Sequence, residues 1–119
     1  MLSTSFREYL KLKRELKEKL QGKLGCILEF HGFVRDYELK DGKKVRVDGL
    51  EVSHHILSEI PKIASLAKDK FDVLEVLIYH KIGYLKVGSR ISSISVFASH
   101  RENAFKALEF VINEIKRFH

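Results

Sequence analysis

The chain has 119 residues, 45% hydrophobic and 32% charged: enough apolar material for one folded domain over residues 1–119, and too much for a disordered chain. Lys and Arg exceed Asp and Glu by 22 − 16 = 6, which favours an anionic partner such as a phosphorylated small molecule, an acidic protein or nucleic acid. The single cysteine, Cys26, excludes an internal disulfide and a cysteine-based zinc site, and no apolar run reaches membrane-spanning length.

With a charged helix at the N-terminus in place of a signal peptide, the expected compartment is the cytoplasm. Ser5 and Glu8 have the S-x-x-E spacing of a capping box, and Phe6, Leu10, Leu16 and Leu20 then make one apolar stripe. A helix therefore opens the chain, and Gly22 ends it. Lys11, Lys13, Arg14, Lys17 and Lys19 fall mostly on its other side. No aromatic residues interleave with them, so they read as a solvated face and not as a nucleic-acid stripe.

Residues 24–31 read as a strand, with Cys26 a buried thiol. A polar segment follows, and its Asp41-Gly42 signals a tight turn. Residues 44–52 return as a strand with Val45 and Val47 on one face. Two strands joined by a loop of about ten residues, with Gly32 at its root and Arg35 near its base, have the form of a binding loop. Arg35 has a plainer reading too, as a surface ion pair with Asp36 or Asp41 that contributes little.

Residues 56–70 read as a helix with Ile60, Ile63, Ala64 and Ala67 on one side. Ser58 is its candidate N-cap, which puts Pro61 in the first turn, where proline is tolerated. His54 and His55 precede it, and no metal site is expected there. Residues 74–81 form an apolar strand ending at His80, and Gly83 and Gly88 bracket a short excursion with room for a small strand at 84–87. Residues 91–98 alternate apolar and small polar side chains, as a half-buried strand does.

Ser99 and Glu102 repeat the capping-box spacing, and Ala104, Leu108, Val111 and Ile115 carry a helix to Lys116. His100 and Arg101 thus stand where a strand gives way to a helix N-terminus, whose unpaired N–H groups attract anions. They also read as exposed turn residues and nothing more. Strand pairs with helices between them suggest an α+β domain with a mixed or antiparallel sheet and three helices.

Three segments in order resemble the large, catalytic subunit of molybdopterin synthase. They are Phe30-x-Gly32-x-Val34-Arg35, His80-Lys81-x-Gly83-x-Leu85-x-x-Gly88, and Ser99-His100-Arg101 leading through Ala104-Phe105 to Ile115-Lys116. Glu51 also fits that family's strand before the second helix. The resemblance implies an α/β-hammerhead fold, a homodimer, and a heterotetramer with two small ubiquitin-like subunits that end in a Gly-Gly thiocarboxylate. It implies sulfur transfer, twice, from that thiocarboxylate to cyclic pyranopterin monophosphate, with no metal or other cofactor.

By the same resemblance Arg35, His100 and Arg101 bind substrate and Lys116 is catalytic. Arginine forks suit a phosphate, and histidine donates to phosphate or moves protons near neutral pH. Lys116 either stabilises an oxyanion as an ammonium or, when desolvated, serves as acid or base. Without the family match it reads as an ordinary C-terminal helix cation.

His100 and Lys116 lie some 16 positions apart on one helix, about 24 Å at 1.5 Å per residue, so a pocket that uses both must combine two chains. The family pattern continues past Lys116 into Pro-x-Trp-Lys, whose lysine is a second pocket residue. Here His119 closes the sequence and there is no tryptophan, which leaves activity resting on Lys116. Arg117 and His119 lie at an end expected to fray. The alternative is a shortened, non-catalytic relative that binds the small subunit or a phosphorylated pterin. A small basic RNA-binding domain fits less well, for want of an aromatic-basic surface motif.

Overall fold

A computed structural model describes residues 1–119. It holds eight strands and three helices. A four-stranded mixed sheet is made of β1 (Leu2–Ser3), β6 (Glu75–His80), β8 (Arg90–Ala98) and β2 (Cys26–Phe33), in that spatial order. Helix α1 (Phe6–Lys19) covers one face of this sheet, and α2 (Ile56–Phe71) and α3 (Arg101–Lys116) cover the other. Two small two-stranded units stand beside it: β3 (Tyr37–Lys40) with β4 (Lys43–Arg46), and β5 (Gly49–Val52) with β7 (Gly83–Lys86). This is the α+β arrangement with three helices that the sequence suggests.

The first N-cap forms, with Ser5 Oγ accepting from the Glu8 N–H at 3.0 Å, and the Glu8 carboxylate reaches back one residue further than in a capping box, to the Thr4 N–H at 3.0 Å. The second does not form. The N-cap of α3 is His100, whose extended backbone makes no side-chain cap bond, while the Ser99 hydroxyl donates to the Lys23 carbonyl at 2.8 Å. Ser99 is drawn away because β2 begins beside it, with the Gly25 N–H on the Ala98 carbonyl at 2.9 Å. Ser58 does not cap α2 either. The helix starts two residues earlier at Ile56, Ser58 donates to the His55 carbonyl at 2.8 Å, and Pro61 lies inside the helix, not in its first turn.

Strand β8 departs from the half-buried reading of its alternation, because both of its faces are covered. Ile94, Val96 and Ala98 join the large core under α2 and α3, while Phe97 packs beside Tyr9 under α1. Cys26 is only half-buried, since β2 is an edge strand. The strand expected over 44–52 is two strands, and the loop before it is the other half of a hairpin. Asp41 and Gly42 take φ of 52° and 77°, the left-handed pair that lets a two-residue turn follow the strand twist. The chain then breaks at Val47-Asp48 so that β5 pairs with β7 instead.

Gly25 sits against the strand-to-helix joint at Ser99, where a Cβ would lie 2.0 Å from the Ser99 carbonyl oxygen. Backbone cannot yield as a side chain can, so Gly25→Ala should destabilise the protein by about 1–3 kcal/mol, the range for overpacking. Urea unfolding monitored by circular dichroism measures this, and an unchanged midpoint would show that the joint is slack.

Candidate functional site

Helix α3 returns along the sheet, so its last turn lies over the start of β8 and the end of β2. There a cleft of about 440 Å³ opens. Its floor is apolar, with Phe30, Leu50, Ile91, Ile94, Ile112 and Ile115, and its rim carries Arg35, Glu38, Lys116 and His119. A concave apolar site with a few convergent polar groups is the usual form of a small-molecule pocket.

Arg35 follows β2 and Val34, which is buried in the main core and fixes the turn. The ion pair with Asp36 or Asp41 does not form. The guanidinium lies 5.1 Å from the centroid of the Tyr37 ring, and the Lys44 ammonium is 4.7 Å from the same ring. Such contacts contribute about 0.5–1 kcal/mol where exposed, so Arg35 is steered towards the cleft by packing and remains free to take an anion.

The four residues singled out from the sequence fall into two groups. Arg35 and Lys116 line the same cleft. His100 and Arg101 do not. They stand exposed at the other end of the 16-residue α3, about 24 Å away at 1.5 Å per residue. The Arg101 side chain is 78% exposed and reaches only its neighbour Glu102, at 3.8 Å.

Sequence reasoning missed a pair of imidazoles. His80, at the end of β6, is 4% exposed. Its Nδ1 lies 2.7 Å from the Lys81 carbonyl oxygen and must donate to it. In neutral His80 the Nε2 is then an acceptor, and His119 Nε2 donates to it at 3.0 Å. Around this contact the Phe118 and His119 N–H groups donate to the Ile115 and Lys116 carbonyls, and the Phe118 ring lies beside His55. His80 stood in the sequence only as a motif residue, and nothing local marked His119 as its partner 39 positions on.

Both imidazoles are held below the ordinary histidine range. Burial is the main cause for His80, with the Lys81 carbonyl pulling the other way and His119 adding to the fall. For His119 burial acts first and the Lys116 charge second. His54 takes no part, and His55 meets Glu59 Oε1 at 3.5 Å.

The family described as MoaE protein matches residues 6–118. An uncharacterized protein of Methanocaldococcus jannaschii is 47% identical over 119 residues, covering all of both chains. The molybdopterin synthase catalytic subunit of Pyrococcus abyssi is 36% identical over 94 residues, which span 78% of this chain and 62% of that one. The crystal structure of molybdopterin synthase from Staphylococcus aureus superposes with a TM-score of 0.69 at 25% identity, covering 87% of this chain and 75% of that one. No helix here is long and apolar enough to cross a membrane.

The lowered imidazoles fix the sign of a pH effect. As pH falls through about 6.5 the unfolded chain takes up protons that folded His80 and His119 still refuse, so stability is full above that value and declines below it. Urea midpoints should therefore drop between about pH 7.5 and about pH 5.5. The His80→Gln, His119→Gln double variant should lose part of that slope; an equal slope in both proteins would count against the His80–His119 pair.

Proposed function

The chain belongs to the MoaE protein family, and on that premise we propose that it is the catalytic subunit of a molybdopterin synthase. In this reading it passes sulfur from the thiocarboxylated C-terminus of a small ubiquitin-like subunit to cyclic pyranopterin monophosphate. The observation that carries it is the meeting of Arg35 and Lys116 on one apolar cleft. Cyclic pyranopterin monophosphate has a flat heterocycle, whose faces can stack on apolar surface, and a singly charged cyclic phosphate. The cleft offers isoleucine and phenylalanine surface to the first and a guanidinium fork to the second.

Lys116 then serves the glycine tail. On the last turn of α3 its ammonium stands at the cleft, and there it stabilises the tetrahedral oxyanion formed when water adds to the tail's acyl carbon, which then collapses to the carboxylate as the C–S bond breaks and the sulfur stays on the pterin. His100 and Arg101 serve the same pocket from a second copy of the chain. One chain holds them a whole helix length from Lys116, and a homodimer that sets one α3 N-terminus beside its partner's cleft would complete the site. With one small subunit on each protomer the assembly is a heterotetramer. The chemistry is that of a cytoplasmic biosynthetic enzyme and asks for no metal.

In vitro conversion of cyclic pyranopterin monophosphate by the protein and a thiocarboxylated small subunit tests this directly. Lys116→Ala should abolish sulfur transfer and leave small-subunit docking nearly unchanged. Docking without conversion by the unaltered protein would instead identify a non-catalytic binding relative.

Arg35→Ala and Arg101→Ala should each weaken precursor binding by about 1.5–3 kcal/mol, the range for hydrogen bonds to charged groups. Titration calorimetry reads that loss, and unchanged affinity in both would remove the phosphate role. Sedimentation at micromolar concentration should show a dimer; a monomer alone would leave His100 and Arg101 outside the site.

A further inference from the structure

We propose that His119 is the proton carrier at the Lys116 end of the cleft, and that His80 is the positioning residue that holds it and receives its proton. The inference rests on the sulfur-transfer reading above for the reaction it serves, and on the geometry of the imidazole pair for the relay itself.

The pair has a direction. His80 is buried at the end of β6, and its Nδ1–H is committed to the Lys81 carbonyl, so only its Nε2 lone pair faces outward. His119 spends its Nε2–H on that lone pair. Its Nδ1 is thereby left as an acceptor, on a residue that lines the cleft beside Lys116. A proton taken from a group in the cleft enters at His119 Nδ1, and the Nε2 proton of His119 crosses to His80 Nε2. His80 becomes an imidazolium whose Nδ1–H already has its acceptor. One proton leaves the cleft, one arrives at His80, and the reverse passage restores both rings.

The surrounding charges favour this use. Burial first and Lys116, from α3, second disfavour the charged form of His119, so the neutral ring that can accept a proton stands with an ammonium that stabilises an anion. Arg35, on the turn after β2, adds a second cation to the rim, and Glu38 of β3 is the carboxylate that lines it. On the buried side His80 meets the Lys81 carbonyl and His119.

The test follows single-turnover sulfur transfer against pH in the complex with the thiocarboxylated small subunit, beside ¹⁵N spectra of the histidine-labelled full chain. His119→Gln should slow transfer by about 100-fold, the lower end of general acid–base effects, and remove the acidic limb of the profile without changing docking. His80→Asn should move that limb towards the ordinary imidazole range. If His119→Gln keeps the rate and profile while Lys116→Ala is inactive, the relay is wrong and the sulfur-transfer reading stands. If the unaltered protein converts nothing, that reading fails, and the spectra decide the relay alone. The Nδ1–H form of His80, with a His119 titration that rises in Lys116→Gln, supports it. The Nε2–H form of His80, or two independent ordinary titrations untouched by Lys116→Gln, overturns it.

Discussion

Strand β8 has neighbours on both edges and cover on both faces, and every other part of the molecule takes its place from it. It pairs antiparallel with β6 and with β2, so both of its edges are hydrogen-bonded. On one face Ile94, Val96 and Ala98 bury against α2 and α3, the Ile94 and Val96 side chains contributing about 1.5–3 kcal/mol each. On the other face Ser93 and Ser95 are wholly buried beneath α1, and a buried hydroxyl without a partner is costly. Ser95 Oγ donates to Glu29 at 2.6 Å and shares a hydrogen bond with the Tyr9 hydroxyl, while Ser93 meets His31 and Arg90 at 2.8 Å. Helix α1 therefore docks through the apolar side chains of Phe6, Leu12, Leu16 and Leu20 and, at Tyr9, through this polar network, while Leu10 of the expected stripe stays exposed.

That network carries its own electrostatic signature. Burial alone would raise the Glu29 carboxyl, but hydrogen bonds from Ser95, Lys13 and His31 outweigh it and the group ends below the ordinary range. Tyr9, with the same neighbours, is pushed up to about 12, chiefly by burial. The carboxylate is thus the fixed charge of the layer, and the hydroxyls and His31 orient towards it. The Arg90 guanidinium, 4.1 Å from the Phe6 ring centroid and 5.0 Å from that of Phe33, closes the network at the end nearest the cleft.

The direction of β8 also explains the site. The strand starts beside the cleft and ends at Ser99, and α3 must come back over the sheet to bury Ala104, Ala107, Val111 and Ile115. Its first turn is thereby placed far from the cleft and its last turn on it. The cationic groups at the two ends cannot converge within one chain, which is the physical basis for expecting a second copy in a complete site. His80 ends β6 within reach of the residues that follow α3, so its buried imidazole meets His119, and it is His119 that lines the cleft with Lys116.

Periodicity and turn chemistry determine much of this protein from sequence alone. The three helices, the long strands, the Asp41-Gly42 turn and the Ser5 cap depend on side chains within four or five positions of one another, and such short-range preferences survive any tertiary arrangement. Ser99 and Ser58 show the limit: each has cap chemistry, yet the Lys23 carbonyl claimed the first and an earlier helix start left the second inside the turn. Strand β1, two residues long, carries no pattern and exists because β6 offers it an edge. The sequence also marks Arg35, His100, Arg101 and Lys116 as chemically notable and, through helix length, separates His100 from Lys116, but not that Arg35 joins Lys116 at one cleft. That grouping, and the pairing of His80 with His119, rest on contacts between residues 39 or more positions apart, and only burial of the sheet's two faces brings such residues together.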